Sequence, residues 1–268
     1  MIAGRGELPL GVLREAGRRG RPVVAVAFRD QTDPAVAEAC PVTWLHPGEV
    51  SSAVAALREG GAWEAVMVGK VPKLDLVSDP AALRLDADAL ALLQGLADRK
   101  DDSILGALAD FLEFRGVRLL PQTDWLGPLL GPEGVLGAVA PSEAQRRDLA
   151  FGHPIAKAIA GLDVGQTVIV KDGSVLAVEA IEGTDEAIRR AGALASGACV
   201  IKVAKPSQDP RFDVPTLGPE TLAALAAAKA SVLAYEAGCT LVLKRERVVA
   251  LADEQGIAVV GLVAEEGA

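Results

Sequence analysis

The chain has 268 residues, with 27 Lys and Arg against 36 Asp and Glu, a formal net charge of −9, and half of its residues apolar. An apolar half beside 24% charged residues marks a globular chain rather than a disordered one, because it can bury enough surface to offset chain entropy. The acidic balance and a scarcity of aromatics (five Phe, three Trp, one Tyr) argue against a basic nucleic-acid footprint and against a base-stacking platform.

The pattern opens with a short strand at residues 1–3, a helix from 9 to 20, and an unbroken β-branched run at 23–28. Helical spacing over 50–59 leads to another apolar run at 65–68, and strands alternating with helices predict βαβ units around a parallel sheet. Helices over 83–96 and 103–115 and a strand over 117–120 follow. From 125 to 141 seven Gly and Pro residues break the pattern, which places a domain boundary there. A helix over 142–162 starts the second half. The arms 166–171 and 174–180 flank Asp172-Gly173, the signature of a two-residue hairpin turn. A strand at 199–203, a helix running from Gly218-Pro219 to just before Gly238, a strand at 240–243, a helix at 245–255 and a strand at 257–262 complete the chain. The expected fold class is α/β, in two α/β domains. The first, 1–127, is Rossmann-like with parallel strands, an apolar Gly/Pro-rich linker covers 128–141, and the second, 142–268, has a mixed sheet with a hairpin and carries most of the catalytic motifs.

Sparse residue types narrow the chemistry. Cys40, Cys199 and Cys239 stand apart in apolar settings, so neither a disulfide framework nor a Cys pair for metal or redox work is expected. With only His46 and His153, acid–base and electrostatic work falls to Asp, Glu, Lys and Arg. The N-terminus lacks the basic and apolar regions of a signal peptide, and the most apolar long stretch, 222–235, is too short for a membrane span. The expectation is a cytoplasmic protein, at most peripheral to the inner face of the cytoplasmic membrane.

Five segments concentrate polar chemistry. Gly4 and Gly6 lie between a strand and a helix, where backbone N–H groups can meet a phosphate, although Pro9 stands where a full dinucleotide fingerprint has its last glycine. Gly183-Thr184-Asp185 follows a strand and opens a helix, with Thr184 or Asp185 as its cap. The densest cluster holds Lys202, Lys205, Gln208, Asp209, Arg211 and Asp213. Its cations suit phosphates, and Asp209 and Asp213 suit Mg²⁺, which takes one or two carboxylates beside substrate phosphate. Lys70, after Gly69, and Asp101-Asp102, at a helix start, are weaker candidates of the same kind.

The segments Ile2-Ala3-Gly4-Arg5-Gly6-Glu7-Leu8-Pro9, Gly69-Lys70-Val71, Lys100-Asp101-Asp102-Ser103, Asp163-Val164-Gly165-Gln166, Val175 through Asp185 and Lys205 through Gly218 carry a resemblance that spacing rules do not supply. Along its whole length the chain resembles the metal-dependent UDP-2,3-diacylglucosamine pyrophosphatases of bacterial lipid A biosynthesis, the type unrelated to the calcineurin-like enzyme of the same step. The resemblance implies a lipid-linked UDP-sugar substrate held between two domains, hydrolysis to UMP and 2,3-diacylglucosamine 1-phosphate (lipid X) with Mg²⁺, and attack of water on the sugar-side phosphorus. It further implies a catalytic role for Asp213, which matches the Asp of the family's R-x-D-x-P segment. The apolar residues Trp125, Leu126, Leu129, Leu130, Val135 and Leu136 are expected to wall the acyl chains, and a homodimer is compatible with the sequence. Two rival readings stand beside this one: a non-catalytic nucleotide-sugar-lipid binding or regulatory module, and a nicotinamide-dependent oxidoreductase.

Overall fold

The computed structural model describes residues 1–71, 83–98 and 100–263, with Asp101 described by its backbone alone. The chain forms two compact units, one of Met1–Gly127 with Asp209–Phe212 and one of Pro128–Gln208 with Asp213–Ala268.

In the first unit the chain runs β1 (Ile2–Ala3), α1 (Leu8–Arg18), β2 (Ala25–Phe28), α2 (Val36–Ala39), β3 (Val42–Leu45), α3 (Val50–Glu59), β4 (Glu64–Ala65), β5 (Met67–Val68), α4 (Ala87–Gly95), α5 (Asp101–Phe114), β6 (Arg118–Leu119) and α6 (Thr123–Leu126). Its main sheet has the order β3-β2-β1-β5 and is parallel throughout, as the alternation of strands and helices predicts. Ile2, Val26 and Met67 of the sheet pack with Val54 and Leu57 of α3, Leu112 of α5 and the buried Phe212. The run 65–68 is not one strand: it turns at Val66, so that Glu64 and Ala65 pair with β6 while Met67 and Val68 pair with β1. The pair α2–β3 has no counterpart in the sequence reading, because β3 is only half-buried and its apolar signal is weak.

The second unit contains β7 (Gly134–Leu136), α7 (Glu143–Gly161), β8 (Thr167–Lys171), β9 (Ser174–Val178), α8 (Thr184–Gly192), β10 (Cys199–Lys202), β11 (Thr216–Leu217), α9 (Pro219–Ala227), β12 (Val232–Glu236), β13 (Leu241–Val242), α10 (Arg245–Gln255) and β14 (Ala258–Leu262). Six of its strands lie in the order β7-β14-β12-β10-β8-β9, with β10, β12 and β14 parallel and the outer pairings antiparallel, while β11 and β13 pair separately. Period-2 alternation sorts the side chains between two layers. Val168, Val170, Cys199, Ile201, Val232 and Ala234 pack with α7, whereas Ile169, Val200, Leu233 and Tyr235 pack with α8, α9 and α10. Ser142 caps α7 in a reciprocal box with Gln145, and the predicted Asp172-Gly173 turn has both residues at positive φ.

Two expectations are corrected. Residues 128–141 are not a linker: Gly134 and Gly137 turn with positive φ, and Val135 and Leu136 pair with Val260 and Val259 as the edge strand β7. The segment after Gly218 is not one long helix. It stops at Ala227, Lys229 turns at a φ of +51°, and Val232–Glu236 is the fully buried strand β12. A strand buried on both faces shows no alternation, so its apolar run reads the same as a buried helix. Among the described residues, no helix is long and apolar enough to cross a membrane.

Candidate functional site

In the second unit, the antiparallel pairing of β8 with β10 sets Thr167 opposite Lys202, and the N–H of Val203 bonds the carbonyl of Gln166. The carboxyl ends of β9, β10 and β12 and the amino end of β8 therefore share one edge of the sheet, the edge at which open α/β sheets bind ligands. Just past β10, Lys205 has its side chain only 5% exposed, with Nζ 2.7 Å from Asp163 Oδ1 and 3.2 Å from Asp213 Oδ2. Gln166 Nε2 donates to the same Asp213 oxygen at 3.0 Å, and Gln208 Nε2 donates to the Asp213 carbonyl at 3.2 Å. Asp163 and Asp213 hold left-handed backbone at φ of +56° and +55°, a conformation that non-glycine residues rarely keep unless the surroundings impose it. Asp213 is exposed, whereas Asp163 is nearly buried and its Oδ2 has no hydrogen-bond partner.

The start of α8 completes this edge. Gly183, at a φ of +85°, is the N-cap; Thr184 and Asp185 are instead the first helical residues, which corrects their assignment as caps. Nothing lies within 4 Å of where a Cβ on Gly183 would stand, and the first turn of α8 carries the N–H groups that a helix start leaves without an intrahelical partner. The Thr184 hydroxyl has another task. It accepts from Lys202 Nζ at 2.8 Å and donates to Glu179 Oε1 at 2.8 Å, while Glu179 Oε2 takes the N–H of Gln166 at 3.3 Å. Lys202 reaches α8 because it shares the sheet face of Val200, and Lys202 is itself buried.

The other expected residues fall in the first unit. Gly4 is required by protein backbone: a Cβ there would stand 2.8 Å from the Lys70 carbonyl, where Arg5 and Lys70 form a bridge. Gly6 has a φ of +101° and open space around it, and Lys70 is exposed. Asp102 lies in the first turn of α5 with Asp101. Asp209 and Arg211 are tied to each other, Arg211 N, Nε and Nη2 all donating to the Asp209 carboxylate at 2.8–3.1 Å. Arg211 also pairs with Glu113 at 3.2 Å. Burial pushes the Asp209 carboxyl up, but the Arg211 bonds outweigh it and hold the group below its ordinary value. Of the apolar residues expected to wall acyl chains, Trp125 stacks with Arg19, Leu126 is buried in the first unit, and Leu136 packs on the core of the second.

Two family models cover nearly the whole chain: the LpxI N-terminal domain matches residues 1–129 and the LpxI C-terminal domain matches residues 132–260. The chain belongs to the LpxI family. It is 33% identical over 278 residues to the UDP-2,3-diacylglucosamine pyrophosphatase LpxI of Caulobacter vibrioides, an alignment covering 99% of this chain and 98% of that protein.

For an LpxI chain, the edge of the second unit contains four residues that the sequence reading did not assign: Asp163, Gln166, Glu179 and Glu236. Asp163 and Gln166 lie in a segment quoted for the resemblance, but nothing in their spacing connects them to Lys205; the β8–β10 pairing does. Among the described residues no group of three or more His, Cys, Asp or Glu side chains is arranged to hold a metal ion. Mg²⁺ does not need one, since it keeps waters and binds through one or two carboxylates plus substrate phosphate. The exposed carboxylate of Asp213 fits that donor set. Asp209 does not, because Arg211 occupies both of its oxygens.

Proposed function

We propose that this chain hydrolyses the phosphoanhydride of UDP-2,3-diacylglucosamine to UMP and 2,3-diacylglucosamine 1-phosphate, with Mg²⁺, in lipid A biosynthesis. The observation that carries the reading is the set of Lys205, Asp163, Gln166 and Asp213 converging at the carboxyl edge of the second unit's sheet, in an LpxI-family chain. Hydrolysis of a diphosphate asks the protein mainly for positioning and for charge stabilisation. Lys202 and Lys205, held immobile by burial, supply fixed positive charge. The first turn of α8 offers backbone N–H donors past Gly183, a favourable end for a phosphate oxygen. Asp213 receives the proton of the attacking water or holds Mg²⁺, and in either role its loss ends turnover. Gln166 and Lys205 fix the carboxylate's orientation. Bound Mg²⁺ would supply neutralisation of the phosphate charge as the anhydride breaks.

The exposed Leu162 and Val164 flank Asp163, and the exposed Ile181 precedes the Gly183 cap, which supports an apolar rim for acyl chains beside the polar edge. A diacyl substrate resides in a bilayer, so the protein meets it as a peripheral protein at the membrane surface. The test is purified protein with UDP-2,3-diacylglucosamine, with and without Mg²⁺, following UMP release, together with Asp213→Ala. The expected result is Mg²⁺-dependent release of UMP that Asp213→Ala abolishes while substrate binding persists. Turnover retained by Asp213→Ala removes the assignment.

A further inference from the structure

Glu236 closes β12 and, sharing the parity of Val232 and Ala234, faces α7. Its side chain is 1% exposed, 2.9 Å from Lys157 Nζ and 3.1 Å from His153 Nε2, both on α7. The same two charged groups grip a single residue of the neighbouring strand's extension. Glu236 Oε2 accepts the Ala204 N–H at 2.8 Å, and Lys157 Nζ donates to the Ala204 carbonyl at 2.8 Å. Ala204 directly precedes Lys205. Burial pushes the Glu236 carboxyl up, and the bonds from His153, Lys157 and Ala204 N–H outweigh it, leaving the group below its ordinary value.

A buried ion pair is seldom more stabilising than well-packed apolar residues of the same volume, so stability alone does not explain charges here. An apolar pair, however, cannot hold an N–H and a C=O at once. We propose that the Lys157–Glu236 pair is a positioning clamp: it fixes the backbone of Ala204 so that the Lys205 ammonium reaches Asp163 and Asp213. What Lys205 then does rests on the hydrolase reading, but the clamp itself does not. Neither Lys157 nor Glu236 touches substrate in this scheme; both act through Lys205.

The experiment compares wild type, Lys157→Met, Glu236→Gln and the double variant Lys157→Met/Glu236→Gln in the full chain. Each single change takes the charged partner from the other residue, the buried Glu236 or the part-exposed Lys157, and lowers Tm; the double change leaves neither charge and recovers most of it. A purely structural pair would regain activity along with Tm. A clamp would not, because the Ala204 carbonyl stays unheld. The double variant, measured equally far below its own Tm, is expected to show kcat reduced by roughly 10–100-fold with KM unchanged, the scale of a misplaced group near the chemistry. Lys157→Arg, which keeps a donor cation facing both Glu236 and the carbonyl, is expected to retain most of kcat.

A readout independent of turnover is the acetic anhydride labelling rate of Lys205, followed by mass spectrometry. It should be slow in wild type and Lys157→Arg and at least about tenfold faster in the double variant, as a loosened backbone exposes the amine. Unchanged labelling, or wild-type kcat in the double variant, overturns the clamp. If wild type releases no UMP while the labelling contrast holds, the hydrolase reading fails and the clamp stands.

Discussion

Replacing Lys205 by Met tests the electrostatics of the site through stability. The Met side chain keeps the length and the apolar stem and removes only the ammonium. Asp163 is then left with its side chain 11% exposed, one oxygen that already has no partner, and the other stripped of the cation 2.7 Å away. Removing one member of a buried pair costs about 3–5 kcal/mol, and the slight exposure of Asp163 puts the expectation at about 3 kcal/mol. At about 2–4 °C per kcal/mol for a chain of this size, Tm should fall by roughly 6–12 °C. The double variant Lys205→Met/Asp163→Asn strands no charge and should recover most of that loss while remaining inactive. The assay is thermal melting by circular dichroism or calorimetry at neutral pH, paired with UMP release. A single variant within about 0.5 kcal/mol of wild type, the range of ordinary surface substitutions, would refute the claim that Asp163 depends on Lys205.

Further predictions concern backbone contact, pH and metal. Gly165→Ala puts a Cβ into the carbonyl of Glu179, 2.7 Å from its carbon, and neither backbone can yield, so a loss of about 2 kcal/mol or more is expected in melting, whereas Gly161→Ala, whose Cβ meets only Pro206 at ordinary distance, should gain about 0.5 kcal/mol; equal melting of the two would contradict the packing around Glu179. The folded Glu236 carboxyl titrates below the ordinary 4.5, so its stabilisation is complete above that pH and is lost as pH falls through the lower folded value. Tm measured from pH 7 down to 3 should therefore show an acid limb that is shallower in Glu236→Gln, and identical limbs would remove Glu236 from the account. Chelation with EDTA should stop UMP release and added Mg²⁺ should restore it, with Tm little changed; full turnover in EDTA would exclude the metal.

The fold was largely legible because its signals are local. Ser142 with Gln145 sets the start of α7, Asp172-Gly173 sets the β8–β9 turn, and the span 245–255 coincides with α10. The site was legible only where it is contiguous. Lys202, Lys205 and Asp213 come from one stretch and meet one edge of the sheet, but their partners Asp163, Gln166 and Glu179 arrive through antiparallel pairing of β8 with β10 and β9, which no spacing encodes. Glu236 was hidden for a different reason. Reading 219–237 as helix put it at a helix end, whereas as the last residue of a central strand it lies beneath α7 with its charge fully buried. A misread element thus hid Glu236, and contiguity grouped residues that the fold separates: Asp209 and Arg211 neighbour Asp213 in sequence yet bond each other within the first unit.

That reassignment changes the charge argument for metal. Along the sequence, residues 202–213 hold three cations against two carboxylates and look positive. In the folded second unit the lysines of that stretch are matched by carboxylates. Lys157 is matched to Glu236, Lys202 reaches Glu179 through the Thr184 hydroxyl, and Lys205 lies against both Asp163 and Asp213. Each of these lysines is thus linked to at least one carboxylate, and among those carboxylates Asp213 is the exposed one. Lysines already matched by carboxylates have less charge to offer a diphosphate, and a cation held at the exposed Asp213 would add to it, since a bound divalent ion is commonly the largest local charge in a site of this kind. Asp213→Asn, which removes the charge that would hold the metal, should weaken Mg²⁺ dependence of substrate binding even as it abolishes turnover, and tighter Mg²⁺ dependence of binding in that variant would count against Asp213 as the metal's holder.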